Sequence, residues 1–131
     1  MKLSDISTIS GILGALKINK IADRAVKDTL NLEFLSVRKA LSPFEKDRDE
    51  MAAKFQEDWS GPITDRKGYD AALKDLNDTL SKMLNEMEAD ITFSPVKADP
   101  LYNPDLWGSE ATLGEIYNSV AFLVKQGVAE Y

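Results

Sequence analysis

Hydrophobic residues recur along most of the chain at steps of three and four, the spacing of one face of an α-helix. The clearest run lies within residues 19–59, where the steps alternate as in a heptad seam. Arg48 is its one polar interruption, and its apolar members are Leu30, Phe34, Val37, Leu41, Phe44, Met51 and Phe55. Pro43 follows Ser42 in a pattern typical of a helix start. Because the seam keeps its phase there, we predict one long kinked helix over 19–59.

A second seam with the same spacing follows a short turn. Ser60, Gly61 and Pro62 interrupt the first run, and residues 68–89 form the next predicted helix. Its apolar positions are Tyr69, Leu73, Leu76, Leu80, Met83 and Met87. Two matched seams joined by a turn predict a long antiparallel helical hairpin that resembles a coiled coil, with Phe55 opposite Leu73.

Residues 4–18 form the predicted N-terminal helix, with Ser4 as its N-cap. Ile6, Ile9, Leu13 and Leu16 mark its apolar side. The other side has no charge between residues 6 and 16 and carries Ser7, Gly11 and Ala15 at four-residue steps. A solvated helix face normally carries charged residues. Either this face is covered by its own domain, or it docks another chain, since small residues let two backbones approach closely.

The C-terminal third begins with a predicted short β-strand over 90–97, in which Ile91 and Phe93 share a side. No partner strand is evident in the chain, and an open strand edge is usually covered by another chain. A Pro-rich loop follows, and a capping box from Thr112 to Glu115 opens the last predicted helix, 112–126. We therefore predict a single mainly α domain over 1–131. It should form a homo-oligomer or an obligate complex, with cover of the strand from within as the alternative.

The chain contains no histidine and no cysteine. These absences remove the commonest general base, the usual nucleophile pairs and most transition-metal sites. We assign no catalytic, cofactor-binding or metal-binding residue and expect a protein that is not an enzyme. No targeting segment is recognisable, and no run of about 18 apolar residues could cross a membrane. The expected location is the cytoplasm.

Charge is unevenly distributed along the chain, whose formal net charge is −6. Residues 1–40 carry seven basic and four acidic side chains, whereas residues 41–131 carry nine and eighteen. Four of the basic residues recur at steps of three and four, which predicts one basic stripe on a helix: Lys17, Lys20, Arg24 and Lys27. Asp23 and Asp28 lie beside this stripe and no aromatic residue interleaves with it, so nucleic acid is not an expected partner. Pairing with another subunit, or within the chain, is favoured.

The order of features resembles that of small uncharacterised helical proteins encoded by phages and prophages. The features are an apolar first helix, a basic segment running into residues 44–50 (FEKDRDE), the heptads from Tyr69 to Met87, the strand at 90–97, and Asp105-Leu106 before a capped helix. The resemblance implies a phage-type assembly, chaperone or accessory factor, and it carries over no catalytic residue.

Two functions are compatible with these patterns. The first is a non-catalytic protein–protein interaction or assembly factor, possessing an interaction surface that includes Ser7, Gly11 and Ala15, the basic stripe, and Ile91 and Phe93. The alternative is an acidic inhibitor whose negatively charged part occupies a basic nucleic-acid-binding site on a host protein. Salt distinguishes them, because binding by charge mimicry weakens steeply with ionic strength and apolar docking does not.

Overall fold

Four α-helices make up most of the chain and confirm the mainly α fold. The computed structural model describes residues 1–131. The elements in chain order are α1 (Leu3–Ala15), α2 (Arg24–Asp58), α3 (Arg66–Glu86), β1 (Val96–Lys97), α4 (Leu113–Lys125) and β2 (Ala129–Glu130). No helix is both long enough and apolar enough to cross a bilayer.

Helix α2 continues through Pro43 without interruption, as the phase of the seam predicts. It begins at Arg24, later than expected, because the Asp23 side chain caps it by accepting from the N–H groups of Ala25 and Val26 at 2.9 and 3.2 Å. The preceding residues Ile18–Lys20 form a 3-10 turn. Ile18 and Ile21 are both buried, and their three-residue spacing suits a 3-10 turn as well as an α-helix.

Helix α1 buries Leu3, Ile6, Ile9 and Leu13, in agreement with the predicted apolar side. The helix begins at Leu3, before the predicted N-cap residue Ser4. Lys2 occupies the N-cap position and forms no capping hydrogen bond with its side chain. Backbone bonds hold this end in place: the N–H of Leu3 donates to Met87 O at 2.9 Å, and the N–H of Ala89 donates to Met1 O at 3.0 Å. The start of the chain is thereby tied to the end of α3.

The hairpin of α2 and α3 divides into two parts. The buried residues of α2 all lie between Leu30 and Phe44, and α1 packs against α2. Residues 45–79, which we call the arm, contain no buried residue and no residue that packs against the core. At the tip of the arm the Tyr69 ring lies 5.5 Å from Phe55 and 5.7 Å from Trp59, measured between ring centres. The remainder of the molecule, which we call the body, contains the whole core.

The predicted strand over 90–97 is shorter than expected and has a partner. Val96 and Lys97 pair in parallel with Ala129 and Glu130. Gly127, with a φ of 81°, follows the C-cap residue of α4, and the chain continues from it into β2 beside β1. Residues 90–95 are not in a strand, and Ile91 and Phe93 are half-buried against the core. The strand is thus paired within its own chain, which was the alternative prediction. An unpaired strand therefore no longer supports the prediction of a second chain.

Candidate interaction cleft

A cleft of about 410 Å³ opens between α1, α4 and the loop that precedes α4. Its size lies within the usual range of binding pockets, roughly 300 to 1,000 Å³. Small side chains dominate its walls. The lining residues are Thr8, Gly11, Ile12 and Ala15 from α1, Trp107, Gly108 and Ala111 from the loop, and Glu115, Ile116 and Ser119 from α4.

The cleft exists because α1 has little bulk on this side. Gly11 and Ala15 are exposed, and a Cβ built on Gly11 would meet no atom within 4 Å. These two residues belong to the stripe of small residues predicted from the sequence, and the structure places both in the cleft lining. Ser7, the third member, is half-buried and does not line the cleft.

The floor of the cleft is apolar and fixed in position. Trp107 and Ile116 are both buried. The Nε1–H of Trp107 donates to the backbone carbonyl oxygen of Leu101 at 2.8 Å, which satisfies the one polar group of the indole and orients its ring. A ligand would therefore meet a preformed apolar surface.

Glu115 is the only ionisable residue of the lining. It lies in the first turn of α4, where its backbone N–H donates to the Thr112 hydroxyl oxygen at 3.2 Å, so the predicted N-cap is present. The Glu115 side chain is exposed and forms no ion pair. The arrangement suits an apolar group accompanied by a positive charge.

The basic residues Lys17, Lys20, Arg24 and Lys27 do not form the predicted helical stripe. The expected spacing assumed one helix, but the chain leaves helical geometry at Leu16 and again at Ile21. Arg24 pairs with Asp28 at 3.6 Å, and Lys20 lines a pocket together with Asp23 and Asp99. Acidic neighbours within the chain therefore accompany two of the four positive charges.

The predicted contact residues Ile91 and Phe93 belong to neither the cleft nor an open edge. Both pack partly against the core of their own chain. Because Pro95 has no N–H and β1 starts only at Val96, the backbone around them offers no strand for another chain to extend.

Glu33 is a buried carboxyl outside the cleft that sequence reasoning missed. Its side chain is only 6% exposed; Oε1 accepts from the N–H of Ser94 at 2.8 Å, and Oε2 has no partner. Burial raises the pKa of Glu33 from 4.5 to about 7, opposed by the hydrogen bond from Ser94. The signal in the sequence was its position three residues after Leu30 and four before Val37, on the apolar face of α2.

Two leucines of α2 lie away from its buried, apolar face and are unusually exposed. Leu32 is 66% and Leu35 is 52% exposed. They lie on one helix face, since residues three apart are neighbours on a helix surface. Neither belonged to the predicted seam.

Comparison of the chain with protein-family models, with curated proteins and with solved structures finds no match. Function must therefore be inferred from the residues of the site.

Proposed function

We propose that this protein is a non-catalytic interaction or assembly factor that binds another polypeptide chain in the cleft between α1 and α4. The observation that carries the proposal is the accessible, uncharged face of α1 around Gly11 and Ala15, which borders a preformed apolar floor. A helix face that only met water would carry charged side chains.

An apolar side chain of a partner would stabilise the complex by its burial in the cleft. Burying one Leu or Phe side chain contributes about 1.5 to 3 kcal/mol. Little of this gain is lost to reorganisation, because the hydrogen bond from Trp107 to Leu101 already fixes the floor. Gly11 and Ala15 add close approach of a partner backbone.

The acidic inhibitor is the weaker proposal. The arm carries ten of the acidic side chains but also six basic ones. Three of these acidic side chains pair with bases at short distance. Arg48–Asp49, Arg66–Asp70 and Lys74–Asp78 pair at 3.1, 3.3 and 3.3 Å. Interleaved bases reduce the continuous negative field that charge mimicry needs. A phage-type assembly role and a cytoplasmic location remain predictions from the sequence.

Site-specific photo-crosslinking tests the proposal directly. Thr8 lines the cleft and is exposed, so p-benzoylphenylalanine in its place positions the reactive group at the cleft. Ala121 is exposed on α4, does not line the cleft, and is the matched control position. After irradiation of cells of the native organism, we expect an adduct with a polypeptide from position 8 and none from position 121. Equal or absent adducts at the two positions would overturn the proposal.

A further inference from the structure

We propose that the occupant of the cleft is a second copy of this chain, which inserts Leu32 and Leu35 of α2 and places Lys39 beside Glu115. This inference rests on the proposed function and names its partner. The cleft and the leucine face are different surfaces of one molecule. The contact therefore joins unlike surfaces and builds either a reciprocal dimer or a head-to-tail ring or filament.

The leucine face has the shape that the cleft requires. Leu32 and Leu35 are 66% and 52% exposed. Every other large apolar residue in the body part of α2 is buried or half-buried. Side chains three apart form a ridge on a helix surface, and a ridge packs into a groove on its neighbour. The hydroxyl of Ser36, which follows Leu35, donates to Leu32 O at 3.0 Å, so it does not present a free donor to an apolar partner.

The charges of the two surfaces are complementary. Lys39 lies one turn beyond Leu35 on the same helix face, is exposed, and has no ion pair in its own chain. Glu115 is the only ionisable residue of the cleft and also has no ion pair. A ridge of two leucines followed by a positive charge thus matches an apolar cleft that carries one carboxylate.

Close approach is possible because the α1 wall is made of small residues. Gly11 and Ala15 leave the groove open, and the space in front of Gly11 is empty of protein atoms within 4 Å. The same observation makes Gly11→Leu a suitable blocking variant, since Gly11 lines the cleft and a Cβ there meets no atom within 4 Å.

Sedimentation equilibrium over a range of protein concentrations tests the assembly. We expect the average mass of the full-length protein to rise above that of one chain as concentration increases. Leu35→Glu and Gly11→Leu, which alter opposite sides of the contact, should each weaken association at least tenfold. Ile63→Glu is the matched control, because Ile63 is exposed in the turn at the tip of the arm, far from both surfaces, and its substitution should leave association unchanged. Circular dichroism confirms that each variant keeps its helical content.

Charge exchange tests the register of the contact. Glu115→Lys and Lys39→Glu should each weaken association several-fold, and the double variant should recover most of the loss. Failure of the double variant to recover would overturn this pairing of surfaces. A wild-type protein that stays monomeric at high micromolar concentration would overturn self-association.

The outcome for this inference is separable from that for the proposed function. An adduct from position 8 to a different protein, combined with a monomeric wild type, would leave the cleft as a docking site and exclude the second copy. No adduct of any kind and no self-association would exclude both.

Discussion

The body and the arm of the hairpin share one heptad spacing but differ in which helices cover the apolar residues of the seam. In the body, the seam residues Leu30 and Val37 are fully buried, since α1 lies over the hairpin. In the arm, Met51 and Phe55 are only half-buried, because α3 is their sole cover. An open groove of about 260 Å³ runs beside the arm seam and is lined partly by Phe55, Trp59 and Leu76. Heptad spacing thus predicts which helices pair, whereas the presence of a third helix, α1, determines how deeply the seam residues are buried.

The largest expected effect lies in the body. Leu30→Ala should lower the free energy of unfolding by about 2 to 5 kcal/mol, because it deletes a fully buried side chain and leaves a cavity. Urea denaturation followed by circular dichroism measures the loss. A change below about 0.5 kcal/mol, the usual effect of a surface substitution, would contradict the division into body and arm.

The buried carboxyl of Glu33 makes the stability of the body depend on pH. Its pKa is about 7 in the folded protein and near 4.5 when unfolded. Below pH 4.5 both states hold the proton, so ionisation of Glu33 costs nothing there. As pH rises from 4.5 to 7 the unfolded state ionises first, and stability falls by up to about 3 kcal/mol.

Glu33→Gln removes this charge while keeping an oxygen to accept from Ser94 N–H. As the pH rises from 4.5 to above 7, the stability of the variant relative to the wild type should increase by up to about 3 kcal/mol. Denaturation curves at a series of pH values measure the difference. Glu50→Gln, on the exposed arm, is the matched control and should leave the pH profile in place. Parallel pH profiles for wild type and Glu33→Gln would show that Glu33 is not buried as described.

A smaller loss is expected for Phe55→Ala in the arm. Full burial against Leu73 would make this truncation cost about 3 to 5 kcal/mol. Phe55 is only half-buried and its ring meets Tyr69, so we expect about 2 kcal/mol instead. A loss as large as that of Leu30→Ala would show that the arm is covered as completely as the body.

The smallest effect is expected for the polar interruption of the seam. Arg48 is exposed, and its guanidinium reaches only the neighbouring Asp49 at 3.1 Å. An exposed ion pair contributes little, about 0 to 1 kcal/mol. Arg48→Leu should therefore be neutral or slightly stabilising in thermal denaturation. Marked destabilisation would reveal a stronger role of Arg48 in the arm.

Local patterns in the sequence predict much of this fold, because helix faces and caps depend on neighbouring residues. The apolar side of α1, the passage of α2 through Pro43 and the cap at Thr112 all follow from spacing and residue type. The end of α1 does not, because Ile18 and Ile21 fit a 3-10 turn as well as a helix. The partner of β1 could not be predicted either, because a parallel pair of two-residue strands has almost no recognisable pattern of apolar and polar residues.

The cleft could be predicted only on one side. Gly11 and Ala15 stand out because they form an uncharged stripe, but Trp107, Ala111 and Ser119 join them through packing of distant segments. The burial of Glu33 depends likewise on Ser94, which is 61 residues away in the chain. Periodicity along the sequence does not identify such long-range neighbours.

Amide hydrogen exchange tests the central claim, that the body and not the arm docks another chain. The measurement compares the free protein with its complex with whichever polypeptide crosslinks to position 8, a second copy included. The account predicts slower exchange around the cleft, in residues 8–15 and 107–119, and no change in residues 45–79. Protection confined to the arm would contradict it, because the hairpin tip would then be the docking surface.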